Sequence, residues 1–117
     1  MRVFLADAEP NVRSALRLLL GQEPEVQVVG ETGTAWGLPA RIEKATPDLV
    51  LLDWELPGPP LADLLPSMRA AKGRARVIAL SVRPEEKRRA LAAGADAFVG
   101  KTDPPEQLLA ALRRVKA

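Results

Sequence analysis

Leu49-Val50-Leu51-Leu52-Asp53-Trp54-Glu55-Leu56-Pro57-Gly58-Pro59-Pro60 is the stretch on which the reading of the fold turns. Four consecutive apolar residues, Leu49 to Leu52, lie between Pro47 and the Pro57–Pro60 cluster. That length and those boundaries suit a strand buried on both faces better than a helix. The run delivers one carboxylate, Asp53, at the strand's carboxyl end. In open α/β sheets that edge is where ligands bind. An acid placed there costs folding energy unless something uses it.

Toward the amino terminus, residues 2–6 read as a short buried strand ending at Asp7-Ala8-Glu9-Pro10. Pro10 suits the first turn of a helix, and Asp7 or Glu9 suits its positive end. Val12, Ala15, Leu16 and Leu19 recur at helical spacing, which predicts a helix over 10–20 stopped by Gly21. A second strand is expected through Val26–Val29. A helix follows within 32–45, with a late start near Leu38 because Gly37 and Pro39 disfavour an earlier one.

Beyond the central stretch, Leu61, Leu64, Leu65 and Met68 mark a third helical face, interrupted by Pro66. Arg76–Ser81 reads as a fourth strand that ends on a hydroxyl. Pro84 opens a charged helix with Ala90, Leu91 and Ala93 expected inward and Gly94 as its stop. Ala95–Val99 is the expected fifth strand, followed by Gly100-Lys101. Pro104 and Pro105 open a last helix with Leu108, Leu109, Leu112 and Val115 as its apolar stripe.

Five βα units in 117 residues predict one domain over 1–117: a doubly wound, three-layer αβα architecture around a five-stranded parallel sheet. The expected strand order is the flavodoxin-like 2-1-3-4-5, with its switch point between strands 1 and 3. That order sets Asp7 beside Asp53 at one crevice and brings Ser81 and Lys101 to its far side.

Composition narrows the chemistry. Apolar residues make up 47% and charged residues 27%, ordinary globular usage. No apolar run approaches the roughly 20 residues of a membrane span, and the start lacks the pattern of a signal peptide. A cytoplasmic domain is the expectation. There is no Cys and no His, so thiolate chemistry and zinc-thiolate sites are excluded. Any hard-metal site must use carboxylates, carbonyls and water. Seventeen Lys and Arg against 15 acids leave a net charge of +2, too slight to indicate nucleic acid.

Two acids, a hydroxyl and a lysine at four strand ends form a coherent chemical set. Paired carboxylates can hold Mg²⁺ with waters and one backbone carbonyl. The metal and the ammonium neutralise a phosphoryl group while Asp53 attacks phosphorus, and a Ser hydroxyl donates to a phosphoryl oxygen. Such a site can use covalent phosphate as a switch.

Over essentially its whole length the sequence resembles the receiver domain of two-component response regulators. The stretches that carry the resemblance are Leu5-Ala6-Asp7-Ala8-Glu9-Pro10, Pro47 to Asp53 with Leu56-Pro57-Gly58, Ile78-Ala79-Leu80-Ser81, and Gly94 to Lys101. The wording around Ser81 and Gly94–Lys101 is most similar to receivers that precede helix-turn-helix output domains. The resemblance implies that Asp53 is the phosphoacceptor, fed by a histidine kinase, a phosphotransfer protein or a small phosphodonor. It further implies Asp7, Asp53 and the Glu55 backbone carbonyl as Mg²⁺ ligands, with Glu9 a further candidate. Ser81 would sense the phosphoryl group, Lys101 would pair with it, and Phe98 stands at the family's aromatic switch position.

There are two departures from the family pattern. Ala8 replaces the second of two adjacent acids, a loss expected to weaken Mg²⁺ binding. Thr102 replaces the proline that often follows the lysine.

Plainer readings stand beside these. Asp53 can be a strand-ending turn acid, and Asp7 can merely serve the first helix's amino end. Phe98 can simply be core, and Trp54 can shield the crevice or cover its rim. Glu55 can be solvated or can govern how water reaches a phosphoryl group. Lys87, Arg88 and Arg89 with Arg113, Arg114 and Lys116 can be solvated helix faces, or a basic partner and homodimer surface on the fourth and fifth helices. Thr32-Gly33-Thr34 echoes a phosphate loop but follows the second strand where such a loop should follow the first, so a turn is expected.

In function, a degenerate receiver that binds partners without phosphate is the main alternative. An aspartate-nucleophile phosphohydrolase and a flavin module rank below it. The chain is expected to carry no output domain, no recognition helix for DNA and no activity on an external substrate.

Overall fold

The computed structural model describes residues 1–70 and 75–116, so the expected domain end at residue 117 lies outside the described residues. The elements are β1 (Arg2–Ala6), α1 (Pro10–Leu20), β2 (Gln27–Thr32), α2 (Leu38–Ala45), β3 (Leu49–Asp53), α3 (Leu61–Ala70), β4 (Arg76–Ser81), α4 (Lys87–Ala92), β5 (Ala97–Gly100) and α5 (Pro105–Lys116). A 3₁₀ turn over Pro84–Glu86 leads into α4.

The strands form one five-stranded sheet in the order β2-β1-β3-β4-β5, and every neighbouring pair is parallel. The expected doubly wound, flavodoxin-like order is therefore the observed one. β3 pairs with β1 on one side and β4 on the other, and all five of its residues are buried.

Alternation along each strand sorts the core into two layers. Phe4, Ala6, Val50, Leu52, Val77 and Ala79 pack with Leu38, Ile42, Leu61, Leu65, Met68 and Ala90, from α2, α3 and α4. Val3, Leu5, Leu49, Leu51, Ile78 and Leu80 pack with Leu20, Leu108, Ala111 and Leu112, from α1 and α5. Each fully buried Leu of this kind contributes roughly 1.5–3 kcal/mol relative to solvent exposure. An apolar run without polar alternation, such as Leu49 to Leu52, is what helices on both faces demand.

Three elements differ from the sequence expectation. β2 runs past Gly30 to Thr32, because pairing with Phe4, Leu5 and Ala6 of β1 carries it on. Gly30 itself makes room for Phe4: a Cβ there would lie 2.8 Å from the ring's Cε2. On α4 only Ala90 is buried, and Leu91, expected inward, is 40% exposed. The helix is one and a half turns long, so a single residue reaches the sheet and its neighbour, about 100° around the axis, points away.

β5 begins two residues later than expected because Asp96 is used as a tie. Its Oδ2 accepts from the Val77 backbone N–H at 2.8 Å and from Arg69 at 2.8 Å, and its own N–H donates to the Val77 carbonyl at 2.8 Å. Arg76 stands 3.7 Å from Oδ1. This cluster fixes where β5 meets β4 and hence where Lys101 emerges. Asp96→Ala leaves the buried Val77 N–H without an acceptor, so a loss of about 1–3 kcal/mol is expected in urea denaturation. Asp96→Asn, which keeps the acceptor oxygen, should lose less.

Candidate functional site

Each candidate residue leaves the carboxyl end of a different strand. Asp7 follows β1, Asp53 ends β3, Ser81 ends β4 and Lys101 follows β5. Strand register sets their levels, with Asp53 opposite Leu80 and Ser81 opposite Gly100. Asp7 and Asp53 are 1% and 3% exposed, so neither is a merely solvated turn acid.

The Lys101 ammonium joins them. Its Nζ lies 2.8 Å from Asp7 Oδ2 and 3.1 Å from Asp53 Oδ1. Burial alone would lower the Lys101 pKa, but the Asp7 and Asp53 carboxylates more than offset it and hold the pKa above the ordinary lysine value.

Backbone donors complete the acids' surroundings. The Glu9 N–H donates to Asp7 Oδ1 at 2.9 Å, and the Glu55 N–H donates to Asp53 Oδ1 at 2.9 Å. The Ala8 N–H approaches Asp53 Oδ2 at 3.5 Å, a weak contact. Asp7 Oδ2 is buried, and its neighbour among the described residues is the Lys101 ammonium at 2.8 Å, which engages one of the oxygen's two lone pairs. A buried carboxylate oxygen thus keeps a lone pair free.

Two buried acids with lone pairs to spare suit a Mg²⁺ ion that retains most of its waters. Among the described residues no group of three or more His, Cys, Asp or Glu converges as a metal cluster. Ala8, between Asp7 and Glu9, carries no carboxylate. Glu9, offered as a substitute, is exposed, and its carbonyl accepts from Val12 and Arg13 at the start of α1.

The Ser81 hydroxyl is occupied by a residue that sequence reasoning did not connect with it. Its Oγ donates to the Glu55 carboxylate, with Oε2 at 2.8 Å and Oε1 at 2.9 Å, and accepts from the Arg83 N–H at 2.9 Å. Only the position of Glu55, two residues beyond Asp53, hinted that its side chain would lie near this crevice.

The loops around the crevice are tied together. The Pro57 carbonyl accepts from the Ala35 N–H at 2.8 Å and from Thr34 Oγ1 at 3.1 Å. Gly58, at φ +126°, sits so close to this segment that a Cβ would lie 3.0 Å from Ala35 Cβ. Thr32 closes β2 and Gly33-Thr34 bend away from it, so that Thr34 and Ala35 brace the loop after Asp53. Trp54 is half-buried against the α2–α3–α4 layer and, with Pro60, Leu61, Glu86 and Arg89, lines a shallow depression between α3 and α4.

Phe98 is half-buried and borders a depression with Arg76, Lys87, Leu91 and Arg114. The basic residues of α4 and α5 do not form one continuous face. Arg113 and Lys116 turn toward Glu23 and Glu25, leaving Lys87 and Arg114 beside Phe98.

A parallel α/β domain that gathers two buried acids and a lysine at its switch point has the architecture of CheY-like signalling domains. The chain belongs to the response regulator receiver domain family, whose model matches residues 3–113. It is 33% identical to the nitrate/nitrite response regulator NarL of Escherichia coli over 117 residues, 98% of this chain and 54% of NarL. It is 35% identical over 101 residues to the fimbriae Z protein of Salmonella typhimurium, covering 85% of this chain and 48% of that protein. The chain thus spans about half the length of these relatives.

Among solved structures it superimposes on a LuxR-family two-component response regulator from Aurantimonas with a TM-score of 0.87 and 30% identity, covering 97% and 83% of the two chains. The signal receiver domain of a NarL response regulator from Mycobacterium tuberculosis gives a TM-score of 0.85 at 28% identity, covering 99% and 96%. Among the described residues no helix is long and apolar enough to cross a membrane.

The raised Lys101 pKa has a definite sign in stability. Above the unfolded lysine value of about 10.4 the folded chain holds a proton that the unfolded chain has released, so stability falls with rising pH until the folded pKa is passed. The contribution is complete below that window. Thermal melts from pH 9 upward should therefore show a steeper loss for wild type than for Lys101→Ala.

Proposed function

We propose that this chain is the phosphorylation-controlled receiver of a two-component system, with Asp53 as phosphoacceptor. The observation that carries the reading is the Lys101 ammonium held between buried Asp7 and Asp53 at the switch point of a receiver-family fold. Asp53 attacks the phosphorus of a phosphohistidine or a small phosphodonor. The new bond forms to its carboxylate oxygen, and the donor departs with the electron pair of the broken bond. Lys101, already protonated, then faces the phosphoryl oxygens and balances their charge.

Asp7, Asp53 and the Glu55 backbone carbonyl are the residues that would hold Mg²⁺, with Glu9 a more remote candidate. Bound there, the ion supplies further positive charge against the phosphoryl oxygens. Ser81 serves as the hydroxyl that turns to the phosphoryl group and Phe98 as the side chain that follows it. Movement of Phe98 would alter the surface it shares with Lys87, Leu91 and Arg114. That face of α4, β5 and α5 is the proposed contact for a partner or a second copy of the chain.

The phosphodonor partner is a histidine kinase or phosphotransfer protein, and the setting is the cytoplasm. The domain's own chemistry is limited to gaining and losing its phosphoryl group. A DNA-binding output, as in the LuxR-family regulators it resembles, would reside in a separate domain.

A second reading, a receiver that works without phosphate, draws on Ala8 and on the missing third acid. Intact-protein mass after incubation with acetyl phosphate separates the two. The expected result is a Mg²⁺-dependent phosphoryl adduct on wild type that Asp53→Asn abolishes. Ala8→Asp should lower the Mg²⁺ requirement on the order of tenfold, as an added carboxylate ligand implies. No adduct on wild type, with recovery in Ala8→Asp, identifies the phosphate-independent receiver. No adduct on either protein sinks Asp53 as the acceptor.

A further inference from the structure

We propose that Glu55 is a built-in competitor for the phosphoryl group, holding the Ser81 hydroxyl in the resting arrangement until phosphate at Asp53 displaces it. The inference rests on the phosphoacceptor reading of Asp53 and adds a positioning residue to it.

A serine hydroxyl has one proton to donate. In this structure that proton is shared by the two Glu55 carboxylate oxygens, at 2.8 and 2.9 Å. The Arg83 N–H, donating to the same Oγ at 2.9 Å, takes an acceptor position and leaves the proton directed at Glu55. A bond to an ionised acceptor is roughly twice as strong as a neutral one. A phosphoryl oxygen that needs the Ser81 proton must therefore take it from Glu55.

The geometry also explains how the contact is released. Glu55 is exposed, and among the described residues its carboxylate has no ion pair, so Ser81 is the group that holds the side chain toward the crevice. Its backbone is fixed by the N–H donated to Asp53 Oδ1 at 2.9 Å. The carboxylate thus swings on a stem anchored at the reacting residue. A phosphoryl group on Asp53 carries close to two negative charges and repels it. The same event that offers Ser81 a better acceptor pushes the old one into solvent.

Before phosphorylation, the contact withholds Ser81 and biases the domain toward its resting form. Any ligand that needs Ser81 then pays a selection penalty set by the strength of the contact.

Beryllofluoride, a phosphoryl mimic, tests this without turnover. Calorimetric titration in Mg²⁺ buffer would compare wild type, Glu55→Ala, Ser81→Ala and the double variant. Glu55→Ala should bind about three- to tenfold more tightly than wild type, the scale of one charge-assisted hydrogen bond at an exposed site. In the Ser81→Ala background, where there is no proton to compete for, the same substitution should change affinity by less than about twofold. An equal gain in both backgrounds would mean that Glu55 acts by charge repulsion alone, and would overturn the competitor. No gain in either background would overturn it as well. If none of the four proteins binds beryllofluoride, the phosphoacceptor reading fails and takes this inference with it; binding by wild type with an unresponsive Glu55→Ala defeats only the inference.

Discussion

The strand Leu49–Asp53 is paired on both edges and covered on both faces, and the rest of the molecule is arranged to make that possible. A strand in this position exposes neither backbone nor side chains to water, so every residue before its end must be apolar. The crossover helices that cover the sheet force the chain to leave each strand at the same edge. Buried polar residues therefore gather where β1, β3 and β4 end, and Asp53 is the first polar residue the central strand can present.

Burying two acids at that edge is tolerable only with a cation between them. Lys101 supplies it, reaching both carboxylates from β5. Its ammonium and the backbone N–H groups of Glu9 and Glu55 satisfy most of the carboxylate oxygens. Asp53 Oδ2 is the least satisfied of the four, with only the Ala8 N–H at 3.5 Å. The crevice thus holds two carboxylates against one ammonium.

A second polar pair, Glu55 with Ser81, closes the other side of the crevice. Asp96, Arg69 and the Val77 backbone hold β5 in place from the opposite end of the sheet. Both ties are partly buried.

The sequence by itself determined the alternation of strands and helices, the parallel sheet and the identity of the residues at the strand ends. Those follow from local patterns: an unbroken apolar run between prolines, helical spacing with Pro at the start and Gly at the stop, and a polar residue closing each strand. It misplaced what tertiary contacts decide. Pairing with β1 carried β2 past a glycine, the shortness of α4 turned Leu91 outward, and the use of Asp96 as a tie delayed β5. Only the tertiary structure assigned the Ser81 proton to Glu55, across 26 residues, and joined Lys101 to Asp7 as well as Asp53. Periodicity reports which face a residue occupies. Strand register and side-chain rotamers settle which distant atoms come within three ångströms, and neither is written in any local stretch of the chain.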